Sequence, residues 1–328
     1  MVVDPFPRRL SASVPGPPDV DRPSSARVYD FLLGGTSHGA VDRHLGRQMI
    51  DAVPLVIPIV RENRSFLRRV VTYLVHAGID QFLDLGSGIP TMGSTHEVAR
   101  RVDPEARVAY VDVDLVAVAH GELLLGKEKG VSVSWADLTR PETVLGAPGV
   151  TDVLDLSRPV GVLMFSVLQH VPDAQDPAGV VAGYVSRVVP GSALAVSHLS
   201  GDDPRVDVES LRALSGAYPR GEVTYRSGAE LAAMVEGIDL VDPGLVYAAR
   251  CPQHSSPSGW PERRGSGSSK GGDGTSRGDP YVARGGAGER DDAAGTVTEP
   301  RPFVTSRDRQ AALRRGEWST GRVGRRTA

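Results

Sequence analysis

The loop after a short apolar stretch contains the first residues whose types and spacing could do chemistry. Gln81–Leu85 is predicted to be a strand, and it leads into the loop Gly86-Ser87-Gly88. The two glycines allow a sharp turn and a close backbone approach to a ligand, because neither has a Cβ. Asp84 precedes the loop and suits a cationic group of a ligand better than a phosphate. A dinucleotide-binding loop would have a third glycine where this chain has Thr91.

Acidic residues also follow the next two predicted strands. Asp112 ends the second strand, and its carboxylate can accept hydrogen bonds from both hydroxyls of a ribose. Asp114 either joins the same site or only caps the following helix. Asp137 follows the third strand and can accept an adenine amino proton, while the backbone around Leu138 can bind the edge of the ring. Because carboxyl ends of parallel strands meet at one edge of a sheet, these residues predict a nucleoside-binding crevice.

A polar turn follows the fourth predicted strand and faces the same crevice. It extends from Ser166 to Asp173 and includes His170. Histidine changes charge near neutral pH, so His170 is the first candidate for a general base. The alternative is that His170 only hydrogen-bonds a loop carbonyl.

The elements that must position these residues alternate between strand and helix. Three helices come first: one begins at Ser24 and stops at Gly34-Gly35, the second spans 41–53, and Gly78 ends the third. The predicted strands are 81–85, 107–111, 131–135, 159–165, 193–198 and 240–246. This alternation predicts an α/β fold with a doubly wound, mostly parallel sheet.

The charge distribution divides the chain of 328 residues near position 250. Residues 251–328 contain 14 Lys+Arg and 9 Asp+Glu, so 23 and 31 remain for residues 1–250. The last stretch is also rich in glycine and poor in large apolar residues, which predicts a disordered Gly/Arg-rich tail. Residues 1–22 are predicted to be a shorter disordered arm, which leaves one folded domain over 23–250.

Composition also limits location and partners. Cys251 is the only cysteine, which is typical of a reducing compartment and predicts a cytoplasmic protein. The apolar stretches are too short to cross a bilayer, so no membrane partner is expected. Nucleic acid is not expected to bind the acidic folded part, although the basic tail could contact it weakly. A solvated tail without a partner is the preferred interpretation.

Four segments resemble one known family. Residues 26–35, 63–69, 82–91 and 96–99 read ARVYDFLLGG, NRSFLRR, FLDLGSGIPT and HEVA. They resemble an actinobacterial S-adenosylmethionine-dependent methyltransferase family with a Rossmann-like fold, formerly catalogued as a domain of unknown function. The resemblance covers residues 22–247. The chain differs after Gly34-Gly35, where the family usually continues with Lys and Asp or Asn.

The resemblance implies S-adenosylmethionine as cofactor and a methyl acceptor. The acidic charge of the folded part favours a small-molecule acceptor over nucleic acid. The resemblance also implies a sheet ordered 3-2-1-4-5-7-6. Asp84 would lie near the amino group of the cofactor, Gly86 and Gly88 near its methionine part, Asp112 at the ribose and Asp137 at the adenine. The other candidate cofactor-binding residues are Tyr29, Ser87, Asp114, Leu138 and Ser166.

Several alternatives stay open. Tyr29 could offer an aromatic face to the sulfonium, or it could only pack in an amphipathic helix. Arg61 and Arg64 could recognise an acidic acceptor, or they could lie on a solvated helix face. The chain could also be a nicotinamide-dependent oxidoreductase or a non-catalytic S-adenosylmethionine-binding regulator.

Overall fold

The computed structural model describes residues 19–250, apart from 92, 205, 220 and 222. Residues 1–18 of the predicted arm and all of the predicted tail, 251–328, lie outside the described residues. In the described part, no helix combines the length and hydropathy needed to cross a membrane.

The described helices and strands follow the alternation predicted from the sequence. In chain order they are α1 (Ser25–Leu33), α2 (Ala40–Ala52), α3 (Val56–His76), β1 (Gln81–Leu85), α4 (Thr95–Arg100), β2 (Arg107–Asp112), α5 (Leu115–Leu125), β3 (Val131–Trp135), α6 (Pro141–Leu145), α7 (Pro148–Thr151), β4 (Gly161–Phe165), α8 (Pro177–Val185), β5 (Ala193–Ser197), α9 (Val208–Ser215) and α10 (Gly228–Met234). Short 3₁₀ turns lie at Leu168–His170, Asp173–Gln175 and Ala248–Arg250.

The five strands form one sheet in the order β3-β2-β1-β4-β5, and each neighbouring pair is parallel. Leu85 at the end of β1 lies beside Val111, and Phe165 at the end of β4 lies beside Ser197. The carboxyl ends of the strands therefore meet at one edge, with the order reversing between β1 and β4. The predicted α/β fold with a parallel sheet is confirmed.

Helices cover both faces of the sheet. Successive side chains of a strand point to opposite faces, so alternate strand residues belong to two different buried clusters. Leu83 of β1 and Met164 of β4 belong to one buried cluster, which includes Tyr184 of α8. Phe82 and Leu163 belong to another, which includes Leu67 of α3. All five strand residues of β1 are buried, so the loop that follows it starts from a rigid base.

The N-terminal helices are organised by caps and by one buried ion pair. The Ser24 side chain accepts a hydrogen bond from the N–H of Arg27, and Gly34 ends α1 with a φ of 85°. The Arg27 guanidinium lies 2.9 Å from the Asp42 carboxylate, and both side chains are buried. These contacts hold α1 against α2 and the first residues of the described chain.

The prediction of a strand at 240–246 is wrong. Leu240 is 49% exposed and Val241 is 50% exposed, and neither belongs to a strand. Pro243 has no N–H to give to a ladder, and the N–H of Gly244 closes a turn on the Val241 carbonyl at 2.8 Å. Within the described residues, the implied order 3-2-1-4-5-7-6 is therefore seen only for its first five strands.

Candidate functional site

A cavity of about 460 Å³ lies at the carboxyl ends of the strands and continues under the N-terminal helices. Arg61, a candidate for recognising an acidic acceptor, does not line this cavity, but the candidate base and all the candidates for cofactor binding do. These residues are Tyr29, Asp84, Gly86, Ser87, Gly88, Asp112, Asp114, Asp137, Leu138, Ser166 and His170. Residues from five separate segments of the chain thus meet at one place.

Asp112 holds the glycine loop in place. Its Oδ2 accepts a 2.7 Å hydrogen bond from the N–H of Gly88, and its Oδ1 accepts a 2.8 Å hydrogen bond from the N–H of Asp114. Burial raises the pKa of Asp112, while these N–H donors act in the opposite direction. A carboxylate has about four acceptor positions, so Asp112 can still accept hydrogen bonds from a ligand.

Asp114 caps a helix and also lines the cavity. Its Oδ1 accepts from the N–H of Val116 at 2.8 Å, which confirms that it caps α5. Its Oδ2 is buried and has no hydrogen-bond partner among the described residues. A buried carboxylate oxygen without a donor costs free energy, so this oxygen is suited to accept a hydrogen bond from a ligand in the cavity.

The glycine loop packs directly on the turn after β4. Gly86 has a φ of +66°, and a Cβ built there would lie 2.0 Å from Cγ2 of Val167. Gly88 also has a positive φ, of +62°. Ser87, between them, donates its N–H to the Val111 carbonyl at 3.2 Å. The loop therefore needs glycine for both its conformation and its close contacts.

Asp84 is a buried carboxylate in the cavity wall. It accepts a 2.6 Å hydrogen bond from the Thr95 hydroxyl. Burial raises its pKa to about 6, although the Thr95 hydrogen bond and the positive charge of Arg64 oppose this shift. A cationic ligand beside Asp84 would therefore stabilise its ionised form, which burial disfavours.

The turn after β4 contains a strained residue. Ser166 has a φ of 50°, which is uncommon for a residue with a side chain. Its N–H donates to the carbonyl and the hydroxyl of Ser197, each at 3.0 Å. The Ser197 hydroxyl donates to Asn63 at 2.6 Å, and Asn63 donates to the Tyr29 hydroxyl at 2.9 Å. Helices α1 and α3 are thereby linked to this turn.

His170 ends the 3₁₀ turn and is partly buried. Its ring meets the Tyr218 ring edge to face, with the ring centroids 6.2 Å apart. His170 lies in the cavity wall. Its role as a general base stays a prediction.

Arg226 is the residue that the sequence reading missed most clearly. It is buried, and it donates to the carbonyls of Leu168 at 3.1 Å and Val171 at 2.8 Å, and to the Asp173 carboxylate at 2.7 Å. These bonds surround His170 and hold the turn. No local pattern around Arg226 indicates this role, because these three partners lie 53 to 58 positions earlier in the chain.

Asp30 has a similar organising role at the other wall of the cavity. It accepts from the Thr91 hydroxyl at 3.0 Å, the Ser37 N–H at 2.7 Å, and pairs with the His38 ring at 3.0 Å. Thr91, at the position where a dinucleotide site needs glycine, thus ties the glycine loop to α1. The ARVYDFLLGG motif was a signal for this segment, but it did not indicate the partner of Asp30.

The wall beyond β3 includes Asp137 and Leu138. The Asp137 carboxylate accepts from the N–H and hydroxyl of Thr139 at 3.0 and 2.8 Å, and the Leu138 carbonyl accepts from Tyr184 at 2.9 Å. The Trp135 ring, which was not predicted, also lines the cavity and donates to the Val113 carbonyl at 3.0 Å. This wall therefore brings an aromatic residue and a carboxylate to the same part of the cavity.

A parallel sheet in this order, with carboxylates and a glycine loop at its switch point, defines a Rossmann-like protein with a nucleoside-type site. The chain belongs to the S-adenosyl methyltransferase family, whose model matches residues 13–268. It is therefore a methyltransferase with S-adenosylmethionine as its cofactor, and it requires a methyl acceptor. The nicotinamide-dependent alternative does not agree with this assignment.

Two solved structures are similar to this chain over most of its length. One is a presumed methyltransferase from Thermobifida fusca YX, with 36% identity and a TM-score of 0.67, covering 73% of this chain and 89% of the other. The second is a DUF574 family protein from Streptomyces avermitilis MA-4680, with 33% identity and a TM-score of 0.66, covering 72% of this chain and 91% of the other. The comparison with curated proteins found no match.

Proposed function

We propose that the protein binds S-adenosylmethionine in the cavity, against the glycine loop. It then transfers the methyl group to a small molecule that lies beside the turn after β4. In this proposal Asp112 accepts from the ribose hydroxyls and Asp137 lies at the adenine. Asp84 faces the α-ammonium group, and Gly86 and Gly88 leave room for the methionine part. The observation that supports it is that carboxylates from three strand ends and a paired-glycine turn line one cavity.

The residues present fit this cofactor. The Asp114 Oδ2 atom has no donor among the described residues, and the ribose hydroxyls could supply one. A Cβ at Gly86 would collide with Val167, so the cradle exists only with glycine. Ser87, Leu138, Ser166 and Tyr29 would complete the walls around the cofactor.

When bound, S-adenosylmethionine supplies a methyl carbon activated by the adjacent positive sulfur. The main task of the protein is to hold the acceptor in line with that carbon, because positioning dominates such displacements. An acceptor that holds its proton at neutral pH also needs a base. In our proposal His170 takes that proton on a ring nitrogen, while Arg226 holds the turn that presents it.

The second part of the cavity supports a small, largely apolar acceptor. Its walls away from the carboxylates are formed by apolar and aromatic side chains from α3, α9 and the segment after α9. Examples are Val60, Leu211, Tyr218, Val223 and Tyr225. Enclosed pockets of this composition are typical of small-molecule sites, and no nucleic-acid contact is proposed for the folded domain. Weak contact through the basic tail stays a proposal from its charge.

Calorimetric titration with S-adenosylmethionine, S-adenosylhomocysteine and NAD tests the cofactor. We expect the first two to bind and NAD not to bind, and the opposite result would contradict the proposal. Incubation with methyl-labelled S-adenosylmethionine and a fractionated cell extract tests the acceptor. Label in the small-molecule fraction would support our proposal, whereas label only in protein or nucleic acid would contradict it, and no label would favour a non-catalytic binding protein.

Two further proposals concern the whole chain. We propose that residues 23–250 are sufficient for the methyltransferase domain, which deletion of the remaining residues would test through thermal unfolding. We also propose a cytoplasmic location, supported by the single cysteine. Cell fractionation would test that location.

A further inference from the structure

A positively charged side chain from α3 reaches the cavity close to Asp84. Arg64 lines the cavity, and its Nε atom is buried without a hydrogen-bond partner among the described residues. A buried donor without an acceptor is costly, particularly on a charged group. We infer that Arg64 binds the α-carboxylate of the methionine part of the cofactor, while Asp84 serves the α-ammonium group.

The Arg64 guanidinium is held in a defined place. Its central carbon lies 5.7 Å from the centroid of the Tyr29 ring. That ring is itself fixed, because the Tyr29 hydroxyl donates to the Val60 carbonyl at 3.2 Å and accepts from Asn63 at 2.9 Å. The contact with Tyr29 holds the guanidinium, while its Nε donor has no partner among the described residues and is available for a planar carboxylate.

The nearest acidic residue of the helix is committed to another partner. Glu62 pairs with Arg69, with 2.6 Å between Arg69 Nη2 and Glu62 Oε1. The structure describes no direct ion pair between Arg64 and Asp84. The positive charge of Arg64 nevertheless opposes the rise in the pKa of Asp84 that burial causes, so the two groups act on each other within the same cavity.

Arg64 and Asp84 carry opposite charges in one cavity and do not form a direct ion pair with each other. This arrangement is suited to a zwitterionic ligand. An α-amino acid has this character, because its carboxylate needs donors and its ammonium group needs acceptors. Arginine is the side chain whose forked donors match a carboxylate, and Asp84 supplies the acceptor. This assignment rests on the proposed function, and it adds a carboxylate subsite that involves α3 in cofactor binding.

Two ligands separate this role from simpler ones. S-adenosylhomocysteine contains the amino-acid end, whereas 5′-methylthioadenosine has the same adenosine and thioether without it. If Arg64 binds the carboxylate, replacing it should affect only the first ligand. If Arg64 merely supports Tyr29, both ligands should lose affinity together, and if it recognises an acidic acceptor, neither should.

The experiment is calorimetric titration of both ligands into the full chain and its Arg64→Met variant. We expect the affinity for S-adenosylhomocysteine to fall at least about tenfold, the scale of a lost hydrogen bond to a charged group, with methylthioadenosine affinity unchanged within about twofold. Arg64→Lys should lose less, because it keeps the positive charge. Arg61→Met is the matched control, since Arg61 is exposed on the same helix and does not line the cavity.

Equal S-adenosylhomocysteine affinity in Arg64→Met and the unmodified chain would overturn the assignment. An equal loss for both ligands would also overturn it. If Arg64→Met does not fold, Arg64→Gln allows the same comparison. Failure of the unmodified chain to bind either ligand would instead overturn the proposed function, and the subsite with it.

Discussion

The backbone N–H of Gly88 donates a 2.7 Å hydrogen bond to the Asp112 carboxylate, and this bond ties the glycine loop to the end of β2. The other oxygen of Asp112 accepts the N–H of Asp114, the residue that caps α5. One carboxylate therefore shapes two backbone segments at the proposed ribose site. Asp112 has a positioning role in addition to its proposed contact with the ligand.

Replacing Asp112 by Asn should weaken S-adenosylhomocysteine binding by about 1 to 3 kcal/mol, since an amide nitrogen cannot accept an N–H and leaves a buried donor unpaired. Calorimetry measures the change. Asp103→Asn is the control, because Asp103 also accepts a backbone N–H, that of Glu105 at 3.1 Å, but does not line the cavity. Unchanged affinity in Asp112→Asn would contradict the ribose assignment.

The ligand-free protein should lose the contribution of Asp84 to stability as the pH rises. Burial raises the pKa of Asp84 from 3.8 to about 6, so the folded state binds the proton more tightly than the unfolded state. This contribution is complete below about pH 4 and lost as the pH passes about 6. Urea unfolding of the original chain and of Asp84→Asn across this range should show their difference changing with pH. A constant difference would be evidence against the raised pKa.

Cofactor binding should respond to pH in the opposite sense. If ionised Asp84 faces the α-ammonium group, a proton must leave before the ligand binds, so affinity should fall about tenfold per pH unit below about pH 6. Titrations of S-adenosylhomocysteine from pH 5 to 8 measure this slope. Methylthioadenosine, without the amino group, should show a weaker dependence, and equal slopes would argue against the ammonium contact.

Gly86→Ala should be more destabilising than Gly93→Ala. Both glycines have almost the same φ, +66° and +67°, so an alanine is strained equally at either position. A Cβ at Gly86 would also lie 2.0 Å from Val167, whereas Gly93 has nothing within 4 Å. We expect an additional cost of about 1 to 3 kcal/mol for overpacking at Gly86. Urea unfolding of both variants measures the difference in their free energies of unfolding. Equal losses of stability would show that the turn after β4 moves to accommodate the added methyl group.

Arg226→Met should destabilise the fold far more than Asp173→Ala. Arg226 is buried and donates to the carbonyls of Leu168 and Val171, so its removal should cost about 2 to 3 kcal/mol. Asp173 is largely exposed, with 77% of its side chain accessible, and its ion pair should contribute less than about 1 kcal/mol. Chemical denaturation of the two variants tests this order. Similar losses of stability in the two variants would mean that the ion pair with Asp173 contributes more than the hydrogen bonds to the carbonyls of Leu168 and Val171.

The sequence predicted the strands from β1 to β5 well because each is a local pattern. The apolar stretch of β4 and the stop at Gly34 depend only on neighbouring residues. The prediction failed at 240–246, where the composition was that of a strand but no strand among residues 19–250 pairs with it. Strand formation requires a partner, and composition alone does not supply one.

For the candidate site, the sequence by itself determined which residues follow the parallel strands, and parallel topology then places Asp84, Asp112 and Asp137 at one edge. Only the tertiary structure decided how these residues are supported. Arg226 reaches a turn 53 positions earlier, and Asp30 bonds Thr91 across 61 positions. Such contacts depend on how distant segments pack, because a side chain that hydrogen-bonds outside its own element leaves no periodic signal in the sequence around it.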